Sequence, residues 1–223
     1  ALVRLADQLA AALTLFPEAQ HRRRRAAVAH LVDQAGEGDV VAPAERAVVA
    51  QAAQRGAVAA LVNADSYAAH PSVPGPRSPV LVVSDTRLAL GQLAAYWRDQ
   101  FDIPLVAITG SNGKTTVKEM LAGILRTAAG SDAAVLATTG NLNNDIGMPL
   151  TLLQMRAQHR YAVIEMGMNH PGEIDYLARI ACPDVALVNN AGGAHLEGLG
   201  SVEAVARAKG EVFAGLRANG TAI

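Results

Sequence analysis

The chain has 223 residues, of which 51% are hydrophobic, 17% charged and 4% aromatic; this excludes wholesale disorder, asks for a core of Ala, Val, Leu and Ile, and suits two domains better than one. A net charge of −1 offers no global field for nucleic acid or an anionic membrane surface, and the single cysteine, Cys182, excludes an internal disulfide or a Cys-rich zinc site and fits a reducing compartment. No apolar run approaches the roughly 20 residues of a membrane span, and the first stretch, with Arg4 and Asp7 and no basic start, does not read as a signal peptide.

In chain order, Leu2, Leu5, Leu9, Leu13 and Phe16 form one apolar helical stripe. The arginine run Arg22–Arg25 is either a phosphate-binding cluster or a solvated turn or helix face, and the lack of interleaved aromatics or a second basic patch favours the latter. A helix from Arg46 is closed by Gly56, and a short strand, Ala57 to Val62, follows. The proline-rich stretch 71–79 is a loop. Val80 to Val83 is a strand, and Asp85 caps a helix to about Gln100 with Leu88, Leu93, Tyr96 and Trp97 as apolar contacts. Phe101-Asp102-Ile103-Pro104 breaks it, and a domain boundary is expected there, giving domains 1–101 and 102–223.

The second part alternates strands and helices: a strand at Leu105 to Ile108, a helix at 114–127, a strand at Ala133 to Ala137, a helix near Pro149 to Met155. A strand at Tyr161 to Ile164, a helix at Glu173 to Ile180, a strand at Val185 to Val188 and a helix at Val202 to Leu216 follow. This rhythm predicts an α/β fold with a mostly parallel sheet and flanking helices.

Thr109-Gly110-Ser111-Asn112-Gly113-Lys114-Thr115-Thr116 follows a strand and opens a helix. Glycines let the backbone turn and present N–H groups to phosphate oxygens at the positive helix end. Lys114 supplies a point charge, and Thr115 a hydroxyl for Mg²⁺. The motif departs from the general phosphate loop, since Ile108 stands where a glycine is usual.

Other candidates sit at strand ends, where open α/β sheets bind ligands. Glu165 is either a strand-end surface carboxylate, a Mg²⁺ ligand or a water-orienting group. His195, in a glycine-bearing loop after Asn189-Asn190, is either solvent-facing or a ligand. Asn141, Asn143 and Asn144 are either turn formers or amide contacts for a polar substrate. Ser201 caps the last helix, and Lys209 lies on the face shared by Val202, Val205, Ala206, Val212, Phe213 and Leu216. A lysine there either snorkels or is desolvated with a lowered pKa. A neutral amine can add CO₂ to give a carbamate.

The segments 109–116, 140–147, Glu165-Met166-Gly167 with Asn169-His170, Gly172-Glu173-Ile174, and Asn189-Asn190 through His195-Leu196-Glu197-Gly198 to Ala208-Lys209-Gly210-Glu211 resemble the Mur ligases. The resemblance is close from about Val80 to Ile223. It implies a UDP-sugar-binding N-terminal domain, an ATP-binding central domain with a phosphate loop, and a C-terminal domain. It further implies a cytoplasmic, monomeric, ATP-dependent amide ligase of peptidoglycan synthesis. This enzyme would join D-alanyl-D-alanine to a UDP-MurNAc-tripeptide through an acyl phosphate. Residues 110–116 would grip the nucleotide. Thr115 and Glu165 would hold one Mg²⁺, and His195 with a carbamylated Lys209 a second. Asn141, Asn143 and Asn144 would face the substrate.

Two departures accompany it. Residues 20–50 carry the arginine run and a short Gly38-Asp39-Val40-Val41 stretch in place of the family's uridine-binding segment. The sequence stops at Ile223, before the family's C-terminal domain, so this chain alone is expected to be inactive. The alternatives are a noncatalytic nucleotide-binding module and a Mur-fold ligase of folylpolyglutamate or cyanophycin type.

Overall fold

The computed structural model describes residues 59–69, 80–193 and 200–223, together with the backbone of residues 29–30. The helical stripes at 1–16 and 46–56, the run Arg22–Arg25, the loop at 71–79 and His195 lie outside the described residues.

The chain divides into two units, Ala1–Leu90 and Gly91–Ile223. In the first, β1 (Ala29–His30), β2 (Ala60–Asn63) and β3 (Val80–Val83) form a parallel sheet in that order. Ala60 pairs with Val80 and Asn63 with Val83. The strand expected at Ala57 to Val62 thus lies at Ala60–Asn63. It ends where the Asn63 side chain turns the backbone: Asn63 Oδ1 accepts from the Asp65 and Ser66 N–H groups at 2.9 and 3.3 Å. That bond opens α1 (Ala64–Ala69), which is too short to leave a periodic signal.

Helix α2 (Thr86–Arg98) carries the division between the units. Asp85 caps it as expected, its Oδ1 accepting from Arg87 N at 2.8 Å and Leu88 N at 3.0 Å. Its apolar contacts need correction: Leu88 is exposed, whereas Ala89, Leu90, Ala94 and Arg98 are buried. The buried spacing 90, 94, 98 marks the inward stripe, and Leu88 falls outside it.

The second unit holds a five-stranded sheet of β4 (Leu105–Thr109), β5 (Val135–Ala137), β6 (Tyr161–Glu165), β7 (Val185–Val188) and β8 (Thr221–Ala222). Its order is β5-β6-β4-β7-β8, and every neighbouring pair is parallel. β8, only two residues long, carries no sequence signal of its own.

Alternate residues face opposite layers. Ile108, Val135 and Val163 pack with Ala122 of α3 (Lys114–Ala129) on one face. Leu105, Ala107, Leu136, Ala162, Ile164 and Ala186 face the other. There they meet Ala94 of α2, Met148 and Leu152 of α4 (Gly147–Leu152), Ile174, Leu177 and Ala178 of α5 (Glu173–Ala181), and Val205 and Ala208 of α6 (Val202–Gly210). Both faces of a parallel sheet are thereby covered.

Two helices differ from expectation. Helix α4 starts at Gly147 rather than near Pro149, because Asn144 Oδ1 accepts from Gly147 N at 2.8 Å. Pro149 then falls in the first turn, where a missing N–H costs nothing. The helix expected to run from Val202 to Leu216 is α6 followed by a 3₁₀ segment, Glu211–Gly215. The tighter winding shifts the phase, so Phe213 is exposed and Val212 buried; Val202, at the helix start, is also exposed.

Arg98 is 1% exposed. It donates to the carbonyls of Ala181 (3.2 Å), Phe101 (2.6 Å) and Ile103 (3.2 Å) and reaches Asp184 Oδ2 at 3.4 Å. Burial pulls its pKa below the usual arginine value, Arg217 adds to that, and Asp184 opposes it.

Gly215 lies against the backbone of Ala178, and a Cβ there would collide with the Ala178 carbonyl group. Gly215→Ala is expected to cost about 1–3 kcal/mol through overpacking against rigid backbone, measurable as a lower denaturant midpoint at unchanged slope.

Candidate functional site

The central strand β4 is flanked by β6 on one side and β7 on the other. From β4 the chain goes first to the β5–β6 side and later to β7, so a crevice opens beyond the carboxyl end of β4. Register places Ile108 beside Glu165 and Thr109 beside Val188. The ends of three strands therefore meet where the sequence places its phosphate loop.

Gly113 caps α3 at φ 74°, a left-handed conformation that glycine adopts without cost. Lys114 Nζ donates to the Gly110 carbonyl at 2.7 Å, folding the ammonium back over the loop. Of the loop's N–H groups, two are already engaged. Ser111 N donates to the Asn190 carbonyl at 3.1 Å and Asn112 N to Asn190 Oδ1 at 3.0 Å. The donors open to an anion in this state begin at Gly113 and continue into the first turn of α3 through Lys114, Thr115 and Thr116.

Glu165 is 2% exposed at the end of β6. Its Oε2 accepts from the Thr115 hydroxyl at 3.0 Å and its Oε1 from Asn143 Nδ2 at 2.8 Å. Its own N–H donates to Thr138 Oγ1 at 2.9 Å. A buried carboxylate beside a hydroxyl, with no cation bonded to it among the described residues, is a hard-oxygen pair suited to Mg²⁺. Among the described residues no group of three or more His, Cys, Asp or Glu gathers. Mg²⁺ does not need one, since it usually takes one or two carboxylates and completes its shell with water and phosphate.

The asparagine-rich loop divides its duties. Asn143 orients Glu165, and its carbonyl accepts from Gly167 N at 2.8 Å. Asn144 Oδ1 accepts from Ile146 N at 3.3 Å and Gly147 N at 2.8 Å, just before α4. Asn141 is exposed, and its carbonyl accepts from Asn143 N at 2.7 Å.

Lys209 is 1% exposed, in the last turn of α6. Burial, aided by the charge of Lys114, lowers its pKa to about 8. No described residue bonds its amine. Ser201 Oγ caps the start of α6 by accepting from Ala204 N at 3.1 Å. Beyond its end, the Glu211 carboxylate accepts from Gly172 N at 2.9 and 3.0 Å and from Asp175 N at 3.2 Å. That carboxylate sits at the positive end of α5 and ties the Lys209 segment to it.

Sequence reasoning misses Lys118, which is 1% exposed. It donates to the Thr138 carbonyl at 2.6 Å and pairs with Glu119 at 2.8 Å. Its spacing of four from Lys114 is the available signal. It also misses the amides of Asn189 and Asn190, whose Nδ2 groups both donate to the Asn112 carbonyl, at 2.8 and 2.9 Å.

A glycine turn that opens a helix, a hydroxyl and a buried carboxylate at the switch point of a parallel sheet define a mixed α/β domain. The sequence profile of the Mur ligase middle domain matches residues 108–223, and the chain belongs to the Mur ligase family.

It is 51% identical over 173 residues to the UDP-N-acetylmuramoyl-tripeptide–D-alanyl-D-alanine ligase of Haemophilus influenzae, covering 78% of this chain and 36% of that protein. To the enzyme of the same name from Escherichia coli it is 55% identical over 145 residues, covering 65% and 31%. Among solved structures, it resembles a crystal structure of MurF from Acinetobacter baumannii with a TM-score of 0.67 at 45% identity, covering 79% of this chain and 37% of that one. It resembles MurF from Thermotoga maritima in complex with ADP with a TM-score of 0.65 at 33% identity, covering 77% and 38%. The chain thus spans about a third of the length of the curated relatives it matches.

The lowered pKa of Lys209 has a stability consequence. Between about pH 8 and the ordinary lysine value of 10.5 the unfolded state binds more protons, so stability rises with pH through that window. Unfolding of the chain and of Lys209→Met, followed from pH 7 to 10.5, should show wild type gaining on the variant only above about pH 8.

Proposed function

We propose that this chain is the nucleotide-binding part of an ATP-dependent amide ligase of peptidoglycan synthesis, one that joins D-alanyl-D-alanine to a UDP-MurNAc-tripeptide. The observation that carries the reading is the meeting of Thr115 with the buried Glu165, one residue from Lys114, at the end of the central strand. The Haemophilus and Escherichia ligases, at 51% and 55% identity, support the choice of substrates. The ADP complex of the Thermotoga relative supports an adenine nucleotide.

In this reading the tripeptide's terminal carboxylate takes the γ-phosphoryl group of ATP, with ADP leaving. The dipeptide amine then attacks the acyl phosphate, and inorganic phosphate leaves. Two anions must approach each other, so the protein's task is charge neutralisation and alignment. Lys114, swung off the Gly110 carbonyl, pairs with phosphate oxygens. The N–H groups from Gly113 to Thr116 fix the triphosphate at the helix end.

Thr115 and Glu165 are the residues that would hold Mg²⁺, which when bound spreads the phosphate charge. Asn143 keeps the Glu165 carboxylate turned toward Thr115. Lys209, buried and with an amine that is easily neutral, fits conversion by CO₂ to a carbamate; this would serve with His195 as ligands for a second Mg²⁺. Asn141 and Asn144 are assigned to the substrate side on the resemblance alone.

Residues 1–101 are assigned to UDP-sugar binding and 102–223 to ATP binding. The protein is assigned to the cytoplasm as a monomer. Among the described residues no helix is long and apolar enough to cross a membrane.

In the full-length protein, Lys114→Ala is expected to lower ATP-dependent ligation by about 100-fold or more, read as phosphate release that requires both UDP-MurNAc-tripeptide and D-alanyl-D-alanine. Phosphate release in wild type that ignores the dipeptide would overturn the substrate assignment. For the lysine, ¹³C-bicarbonate should give a carbamate carbon resonance in wild type that is absent from Lys209→Met; its absence from wild type would remove the carbamate.

A further inference from the structure

The loop after β7 is stitched to the phosphate loop by contacts from residues that are nearly 80 positions apart in sequence. Asn189 Nδ2 and Asn190 Nδ2 donate to one acceptor, the Asn112 carbonyl, at 2.8 and 2.9 Å. Asn190 Oδ1 accepts from the N–H of the same residue at 3.0 Å. One side-chain amide thus reads both backbone groups of Asn112. The Ser111 hydroxyl adds a two-way contact, accepting from Gly192 N at 2.9 Å and donating to the Gly192 carbonyl at 3.2 Å.

The peptide between Asn112 and Gly113 is planar, and a trans peptide points its C=O and N–H in opposite directions. Holding the carbonyl toward Asn189 and Asn190 therefore turns the Gly113 N–H away from the β7 loop. That N–H has no protein partner among the described residues. Glycine's freedom at φ 74° makes the same peptide easy to rotate, so something must fix it. Asn189 also closes on the glycine itself: a Cβ at Gly113 would lie 3.1 Å from Asn189 Nδ2.

We propose that Asn189 and Asn190 are positioning residues of the phosphate loop, whose paired amides hold the Asn112 carbonyl back and so present the Gly113 N–H to a bound phosphate. The proposal rests on reading residues 109–116 as a phosphate-binding loop. Preorganised dipoles stabilise an anion because no reorientation is needed when it arrives. Without the pair, the peptide can flip and put a carbonyl oxygen where a phosphate oxygen should sit.

Mg-ADP and inorganic tripolyphosphate are titrated calorimetrically into the full chain, into Asn189→Leu and Asn190→Leu, which keep the branched side-chain shape but cannot hydrogen-bond, and into Lys114→Ala. The expected result is binding by wild type and none by Lys114→Ala. Each leucine variant should bind both probes about five- to tenfold more weakly, the size of one or two lost hydrogen bonds. The Gly113 amide resonance should move on adding tripolyphosphate to wild type and stay in place in the leucine variants, a readout that general loosening of the fold does not mimic.

Both asparagines are exposed, so unfolding temperatures should change little; if one variant fails to fold, the other reads the same carbonyl. Leucine variants that bind at wild-type strength and move the Gly113 resonance overturn the proposal while leaving the phosphate loop intact. Wild type that binds neither probe, or Lys114→Ala that binds both, overturns the phosphate-loop reading and the proposal with it.

Discussion

The buried carboxylate of Glu165 is the constraint on which the rest of the site turns. A carboxyl group at 2% exposure is tolerated only when its oxygens are satisfied. Here one oxygen takes the Thr115 hydroxyl and the other the Asn143 amide. Those two donors come from the first turn of α3 and from the loop after β5. Glu165 itself ends β6, directly beside Ile108 of the central strand. Satisfying one carboxylate therefore fixes three pieces of chain around the crevice, including the turn that carries Lys114.

Three long cations buried in the same unit are treated in different ways. Arg98 is surrounded by carbonyls and an aspartate. Lys118 has the Thr138 carbonyl and Glu119. Both are therefore compensated, and each serves to fix backbone. Lys209 has no such partner among the described residues and sits under the repulsion of Lys114. An uncompensated buried ammonium is a standing cost, and perturbed groups of this kind concentrate at functional sites. The Thr138 hub extends the arrangement: its carbonyl takes Lys118 and its hydroxyl takes the Glu165 N–H.

What the sequence shows is local. The strand, glycines and lysine at 105–114 are contiguous, so β4, its turn and α3 are legible together. Lys209 is legible because its spacing of four from Val205 places it on a buried stripe. Lys118 is not, because it borders the apolar row of Val117, Leu121 and Leu125 and reads as a solvated flank; its acceptor, the Thr138 carbonyl, is brought in by the sheet. The amides of Asn189 and Asn190 read as a strand terminator, because their acceptor is 77 and 78 residues away. Phe213 departs from its expected burial for a geometric reason: a switch from 3.6 to 3 residues per turn rotates it outward, and no periodicity rule anticipates that switch.

The fan of contacts around Arg98 implies shared fate among elements that are distant in the chain. Its guanidinium closes the carbonyls after α2, at the last residue of α5 and just before β4, and it touches the aspartate whose Oδ2 accepts from Leu105 N at 2.8 Å. Releasing any one of these ends strands a charge in apolar surroundings and weakens the hold on the others. The backbone amides there should then open to solvent as a single cooperative event, so that the end of the sheet around Leu105 behaves as one foldon.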